Sequence, residues 1–190
     1  MTNISTKYVD QKWMRYAISE ASKAVGRAAE NPPVGCVIIA SSGHIVGVGH
    51  TARTGRPHAE TVALAMAGEQ ARYGTAYVTL EPCAHHGQTP PCASALIEAG
   101  IQRVVIACED PDARVSGRGV EMLRAAGIDV VTDIETAPAY NVMQGFLHRM
   151  AHKRPLVTIK TATSLDGGIA LGDGRKIWLT APPQCGDMFI

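Results

Sequence analysis

The sequence has no long apolar run: no window approaches the ~18 uninterrupted apolar residues of a membrane-spanning helix, so none is expected. It has almost no excess of charge either. Its 18 lysines and arginines against 17 aspartates and glutamates leave a formal net charge of +1, without the basic footprint that binds long nucleic acid. A small phosphorylated ligand remains compatible with that balance. The opening stretch MTNISTKYVDQKW has no basic segment followed by an apolar one, so no secretory signal is expected. The cysteines, Cys36, Cys83, Cys92, Cys108 and Cys185, are odd in number. Without an export signal they point to free thiols or metal ligands rather than a disulfide framework, and to the cytoplasm. Internal repeats and low-complexity tracts are absent, and 46% hydrophobic with 18% charged residues argues against disorder. At 190 residues the chain is long enough for an ordinary core, as one domain or one domain plus a fragment.

The pattern along the chain alternates. Asp10 is placed to cap a helix whose stripe is Trp13, Met14, Ala17, Ile18, Ala21 and Val25. NPPVG breaks it. VGCVIIA, residues 34–40, and HIVGVGH, residues 44–50, read as a hairpin across SSG. HAETVALAMAGEQA is helical, TAYVTL a buried strand, CASALIEAG a helix and QRVVIAC another buried strand. VEMLRAAG, IDVVT and TAPAYNVMQGFLHRMAHK follow as helix, strand and helix, and RPLVTIKTATSLDGGIAL opens a new strand and turn. Strands alternating with helices after an initial hairpin imply an α/β fold, a mixed sheet with helices on both faces. A domain over residues 1–150 and a second segment over 151–190 are expected, because HKRP interrupts the pattern.

One stretch carries chemistry. EPCAHHGQTPPC, residues 81–92, crowds two cysteines, two histidines and three prolines together. Catalytic zinc commonly keeps three protein ligands and leaves the fourth position for water. The third ligand is found in PHAE, as His58 at the head of the second helical segment. His-x-Glu followed by Pro-Cys and another Cys is the zinc deaminase pattern, although there the cysteines are two residues apart. One neutral imidazole and two thiolates leave zinc no net positive charge. Glu60, beside the metal but not spent on it, is suited to move a proton from water to a leaving amine. Singly, each residue has a plainer reading: His58 as a helix cap, Glu60 as a solvated first-turn carboxylate, Cys83 and Cys92 as anchors of a closed structural zinc with His85 or His86. Together they favour catalysis.

PHAE followed by TLEPCAHHGQTPPC resembles the deaminase domain of the riboflavin biosynthesis bifunctional deaminase-reductase family. The gap of eight residues between Cys83 and Cys92 is the discriminating feature. NPPVGCVI and EDPDARVSGRG match further blocks of that family, and the resemblance runs over about residues 8 to 180. It implies a cytidine-deaminase-like three-layer α/β/α fold with a mixed five-stranded sheet. The implied activity is hydrolytic deamination of 2,5-diamino-6-ribosylaminopyrimidinone 5'-phosphate to the corresponding uracil. His58, Cys83 and Cys92 would bind Zn2+, Glu60 would be the proton shuttle, and Asn31 and Asp110 would contact the small pyrimidine ribotide. Thr51 stands where many members have histidine, and Gln88 where they have lysine or arginine; both positions would face substrate. Arg53, Arg56 and Arg118 are candidates for its phosphate. The fold often self-associates, so a homo-oligomer is a possible partner state.

RPLVTIKTATSLDGGIAL and KIWLT resemble the opening of the family's reductase domain, a dihydrofolate-reductase-like fold using NADPH. Lys160, Ser164, Asp166 and Trp178 match its motif, Lys176 replaces a usual serine, and Ala162 and Trp178 would be residual cofactor-binding positions. The roughly 35 residues of this segment cannot bury enough surface to make that fold alone, and APPQCGDMFI does not continue the pattern, so a truncated C-terminus without reductase activity is expected. Two other functions compete with the leading one. One is deamination of a different base or nucleoside; the other is a catalytically silent, zinc-stabilised scaffold.

Overall fold

The computed structural model describes residues 4–85, 90–110 and 117–169. The N-terminal stripe becomes helix α1 (Ile4–Ser22), with Met14, Ala17 and Ala21 fully buried. Its start corrects one expectation. Asp10 does not cap the helix: it lies within α1, 1% exposed, and its carboxylate receives both terminal nitrogens of Arg103 at 2.7 and 2.8 Å and the hydroxyl of Tyr77 at 3.0 Å. A capping side chain faces solvent or its own backbone; this one is held inside by partners far along the chain.

The strands are β1 (Gly35–Ile39), β2 (Ile45–His50), β3 (Thr75–Leu80), β4 (Arg103–Cys108) and β5 (Asp129–Val131), in the sheet order β2-β1-β3-β4-β5. β1 runs antiparallel to β2 and β3, and β3, β4 and β5 are parallel. The sheet is therefore mixed and five-stranded, as expected. The crossovers are α2 (Ala59–Ala67), α3 (Cys92–Glu98) and α4 (Arg118–Ala125), and α5 (Thr136–His152) follows β5. Alternation along the strands assigns the faces. His50, opposite Gly35, lies 3.5 Å from Glu20 of α1, whereas Gly49, opposite Cys36, backs onto α2. α1 and α5 thus share one face, and α2, α3 and α4 pack in succession on the other. Buried on both sides, β1, β3 and β4 read as near-continuous apolar runs.

The spelling of β2, IVGVGH, has a packing reason. A Cβ on Gly47 would stand 2.2 Å from the Ala63 carbonyl oxygen, and one on Gly49 2.3 Å from that of Ala59. Glycine on the strand and Ala59, Ala63 and Ala67 on the helix let the α2 backbone rest directly on the sheet, and α2 carries His58 and Glu60 at its start. Gly49→Ala is expected to lift the helix and cost about 3 kcal/mol, read as the midpoint of urea unfolding. An unchanged midpoint would mean that α2 shifts freely.

The chain divides into two compact units, residues 1–155 and 156–190. In the second, residues 156–164 form no strand, contrary to the expectation from LVTIK. A strand is stable when a neighbour completes its ladder, and none pairs with it among the described residues. Its ordered feature is a turn in which the Ser164 and Gly167 N–H groups donate to the carbonyls of Gly168 and Ser164 at 2.9 and 3.0 Å. Ala162 lies in this unit, in a segment without regular secondary structure. Trp178 and Lys176 fall outside the described residues.

Candidate active site

His58 immediately precedes α2 in extended conformation, and its side chain makes no capping hydrogen bond. The imidazole is turned elsewhere: Nδ1 lies 3.2 Å from Cys92 Sγ and 3.9 Å from Cys83 Sγ. Cys83 follows the end of β3, and Cys92 opens α3 directly behind Pro91. The Cys92 N–H donates to Cys83 Sγ at 3.3 Å, so the backbone itself closes the loop between the two thiols.

The three donor atoms lie within 4.8 Å of one another. Tetrahedral zinc with usual Zn–N and Zn–S lengths places nitrogen and sulfur ligands about 3.5 Å apart, and the two distances above bracket that value. The residues fit zinc. Among the described residues the donor group stops at three; His85 borders the cavity but is not part of it. Three protein ligands with a free fourth position is the pattern of catalytic zinc, and a closed set of four that of structural zinc.

The hydrogen bond from Cys92 is the largest influence pulling the Cys83 thiol down to about 4, with His58 and the Cys92 N–H adding to it against burial. Cys92, as the donor to Cys83 and itself buried, is pushed far up. His58 is raised chiefly by its contact with Cys83. Glu60 is 4% exposed, and burial pushes its carboxyl up to about 7, although its own backbone N–H and His58 pull the other way.

These groups border a cavity of about 240 Å³. His58, Glu60 and Cys83 line it together with Asn31, Thr51 and Asp110, so residues spread over eighty positions of sequence meet in one place. Asn31 is held by shape: a Cβ on Gly55, whose φ is +91°, would stand 2.0 Å from Asn31 Nδ2. Thr51 lines the cavity but spends its hydroxyl on the backbone, donating to Pro32 O at 2.8 Å and accepting from Val34 N–H at 2.9 Å. It holds the loop that presents Asn31. Of the candidate arginines, Arg56 lines the cavity; Arg53 and Arg118 are not among its lining residues. Gln88 lies outside the described residues.

Sequence reasoning missed Glu81, Phe146 and Arg149, which also line the cavity. Glu81 stood in the quoted motif with no signal to separate it from any other acidic residue. Phe146 and Arg149 come from α5, far away in sequence, and the Arg149 guanidinium donates to the Glu30 carbonyl and sits 5.8 Å from the Phe146 ring centroid.

A mixed five-stranded sheet with a His/Cys/Cys donor set beyond the end of its central strand and a buried, non-ligating glutamate beside it defines the zinc-dependent deaminase class. The cytidine and deoxycytidylate deaminase zinc-binding region matches residues 7–108, and the chain belongs to that family. Within it, the chain is 46% identical over 179 residues to the riboflavin biosynthesis protein RibD of Haemophilus influenzae, covering 94% of this chain and 48% of that one. The structure is similar to that of Acinetobacter baumannii RibD, with a TM-score of 0.83, 46% identity and coverage of 95% and 51% of the two chains. It is likewise similar to a diaminohydroxyphosphoribosylaminopyrimidine deaminase/5-amino-6-(5-phosphoribosylamino)uracil reductase from Thermotoga maritima, with a TM-score of 0.85, 40% identity and coverage of 93% and 51%. The chain thus spans about half the length of these relatives.

Proposed function

We propose that this chain hydrolyses the ring amino group of 2,5-diamino-6-ribosylaminopyrimidinone 5'-phosphate, releasing ammonia and leaving the 5-amino-6-ribosylaminouracil phosphate, a step of riboflavin biosynthesis. The observation that carries the reading is the His58–Cys83–Cys92 triangle beside buried Glu60, within a chain similar to proteins named for this chemistry. The chemistry zinc supplies in such a donor set is Lewis acidity, which brings the ionisation of water down toward pH 7.

The remaining work falls to side chains. Glu60 Oε takes the proton released as water attacks the amino-bearing ring carbon and returns it to the departing nitrogen, which leaves as ammonia. A carboxyl raised by burial to about 7 is matched to both halves of that transfer near neutral pH, because the most effective acid-base groups titrate near the working pH. Asn31, fixed against Gly55, offers an amide donor and acceptor to the edge of the pyrimidine. Asp110 faces the cavity from the end of β4 and contacts the rest of the ribotide.

Ammonia release from the diaminopyrimidine ribotide by the zinc-loaded protein tests the proposal. Turnover of the ribotide, with none of cytidine, deoxycytidylate or guanine, is the expected outcome. Turnover of one of those bases instead transfers the site to another deamination, and silence on all of them with zinc bound leaves the scaffold.

A further inference from the structure

Glu81 is 3% exposed, yet it forms no ion pair among the described residues. Its charge is answered by backbone. Oε2 accepts from the N–H groups of Gly117 at 3.0 Å and Asp110 at 3.3 Å; Oε1 accepts from those of Gly119 at 2.8 Å and Val120 at 3.2 Å. Gly117, Gly119 and Val120 belong to the start of α4, so this carboxylate caps a helix from another part of the fold. The approach is close enough to require glycine: a Cβ on Gly119 would stand 2.1 Å from the Pro82 carbonyl oxygen and 3.1 Å from Glu81 Oε1. One residue further along from that carbonyl is the thiol Cys83. A single carboxylate therefore joins the segment bearing a metal-binding thiol to the backbone of Asp110.

We propose that Glu81 is a positioning residue for catalysis: by gripping the Asp110 N–H and the start of α4, it sets Asp110 in the wall of the cavity, where the ribotide meets it. The role deepens the deaminase reading above and rests on it. Glu81 itself moves no proton and needs no contact with substrate, since each of its oxygens already accepts two backbone donors. An amide in its place keeps one acceptor oxygen but turns an NH2 group toward two N–H donors, so half of the grip becomes repulsive.

The test is a double-mutant cycle of Glu81→Gln with Asp110→Ala on the zinc-loaded full chain, reading KM and kcat separately with zinc content alongside. Each single variant is expected to raise KM for the ribotide about tenfold with zinc retained. In the Asp110→Ala background, Glu81→Gln should raise KM by less than about twofold, because the side chain it positions is gone. A purely architectural carboxylate moves stability and leaves the two effects multiplicative, which would overturn the role. Gly119→Ala disturbs the same contact from the helix side and should reproduce the KM increase. Failure of both Glu81→Gln and Gly119→Ala to fold assigns Glu81 to stability alone and also overturns it. A parent without ribotide turnover overturns the deaminase reading and the positioning role together, whereas an active parent with multiplicative losses overturns the positioning role only.

Discussion

Glu60→Gln is expected to lower turnover by about 10³-fold or more while zinc stays at one per chain and the protein stays folded. Acid-base groups typically contribute between about 10² and 10⁴ in rate, and Glu60 is a buried carboxyl beside the donor set without being one of its three donors. The substitution is nearly isosteric. It removes an ionisable group that burial already disfavours, as its rise to about 7 reports, so the fold has no cause to weaken. Ammonia release, zinc content and the thermal midpoint measured on the same preparation separate the outcomes. Activity near that of the parent would remove Glu60 from the proton path. Loss of zinc would make it a ligand, and a scaffold would be indifferent to the change altogether.

Arg103→Met is expected to cost about 3–5 kcal/mol of stability, the largest single effect on folding, because it leaves the Asp10 carboxylate buried with its cation gone. Asp10 is 1% exposed and Arg103 meets it through both terminal nitrogens, so little water is at hand to take over. The contact of Arg103 with Asp129 at 3.0 Å adds little, since the Asp129 side chain is 66% exposed. Replacing both partners by apolar residues, as in Asp10→Leu with Arg103→Met, should recover much of the loss apart from the hydrogen bond that Tyr77 makes to Asp10. Urea midpoints of the singles and the double decide it; a double as unstable as the sum of the singles would mean that the pair is not the source of the cost.

That same pair shows where reading the sequence stopped. Asp10 stands at a plausible helix start, and local chemistry favours aspartate as a cap. The partner that draws it inward, Arg103, lies 93 positions away, and no periodicity reports such a contact. Thr51 repeats the lesson: it was singled out as a residue of the site and does line the cavity, but the use of its hydroxyl on Pro32 and Val34 was not legible. The expected strand over LVTIK had the right composition, but among the described residues no neighbour completes its ladder.

By itself the sequence determined the alternating α/β order, the mixed sheet and the donor set, because periodicity and the residue chemistry of PHAE and EPCAHHGQTPPC are local properties. Zinc-type ligands are few in kind, so a histidine and two thiols at the right places announce themselves. Only the tertiary structure decided what surrounds each buried carboxylate. Glu60, Glu81 and Asp10 are alike in composition, and what separates them is surroundings assembled from distant segments: a low-dielectric pocket raises the first, a ring of backbone N–H groups engages the second, and a guanidinium pairs the third. Burial and hydrogen-bond partners set the chemistry of a carboxylate, and both are created when the chain folds.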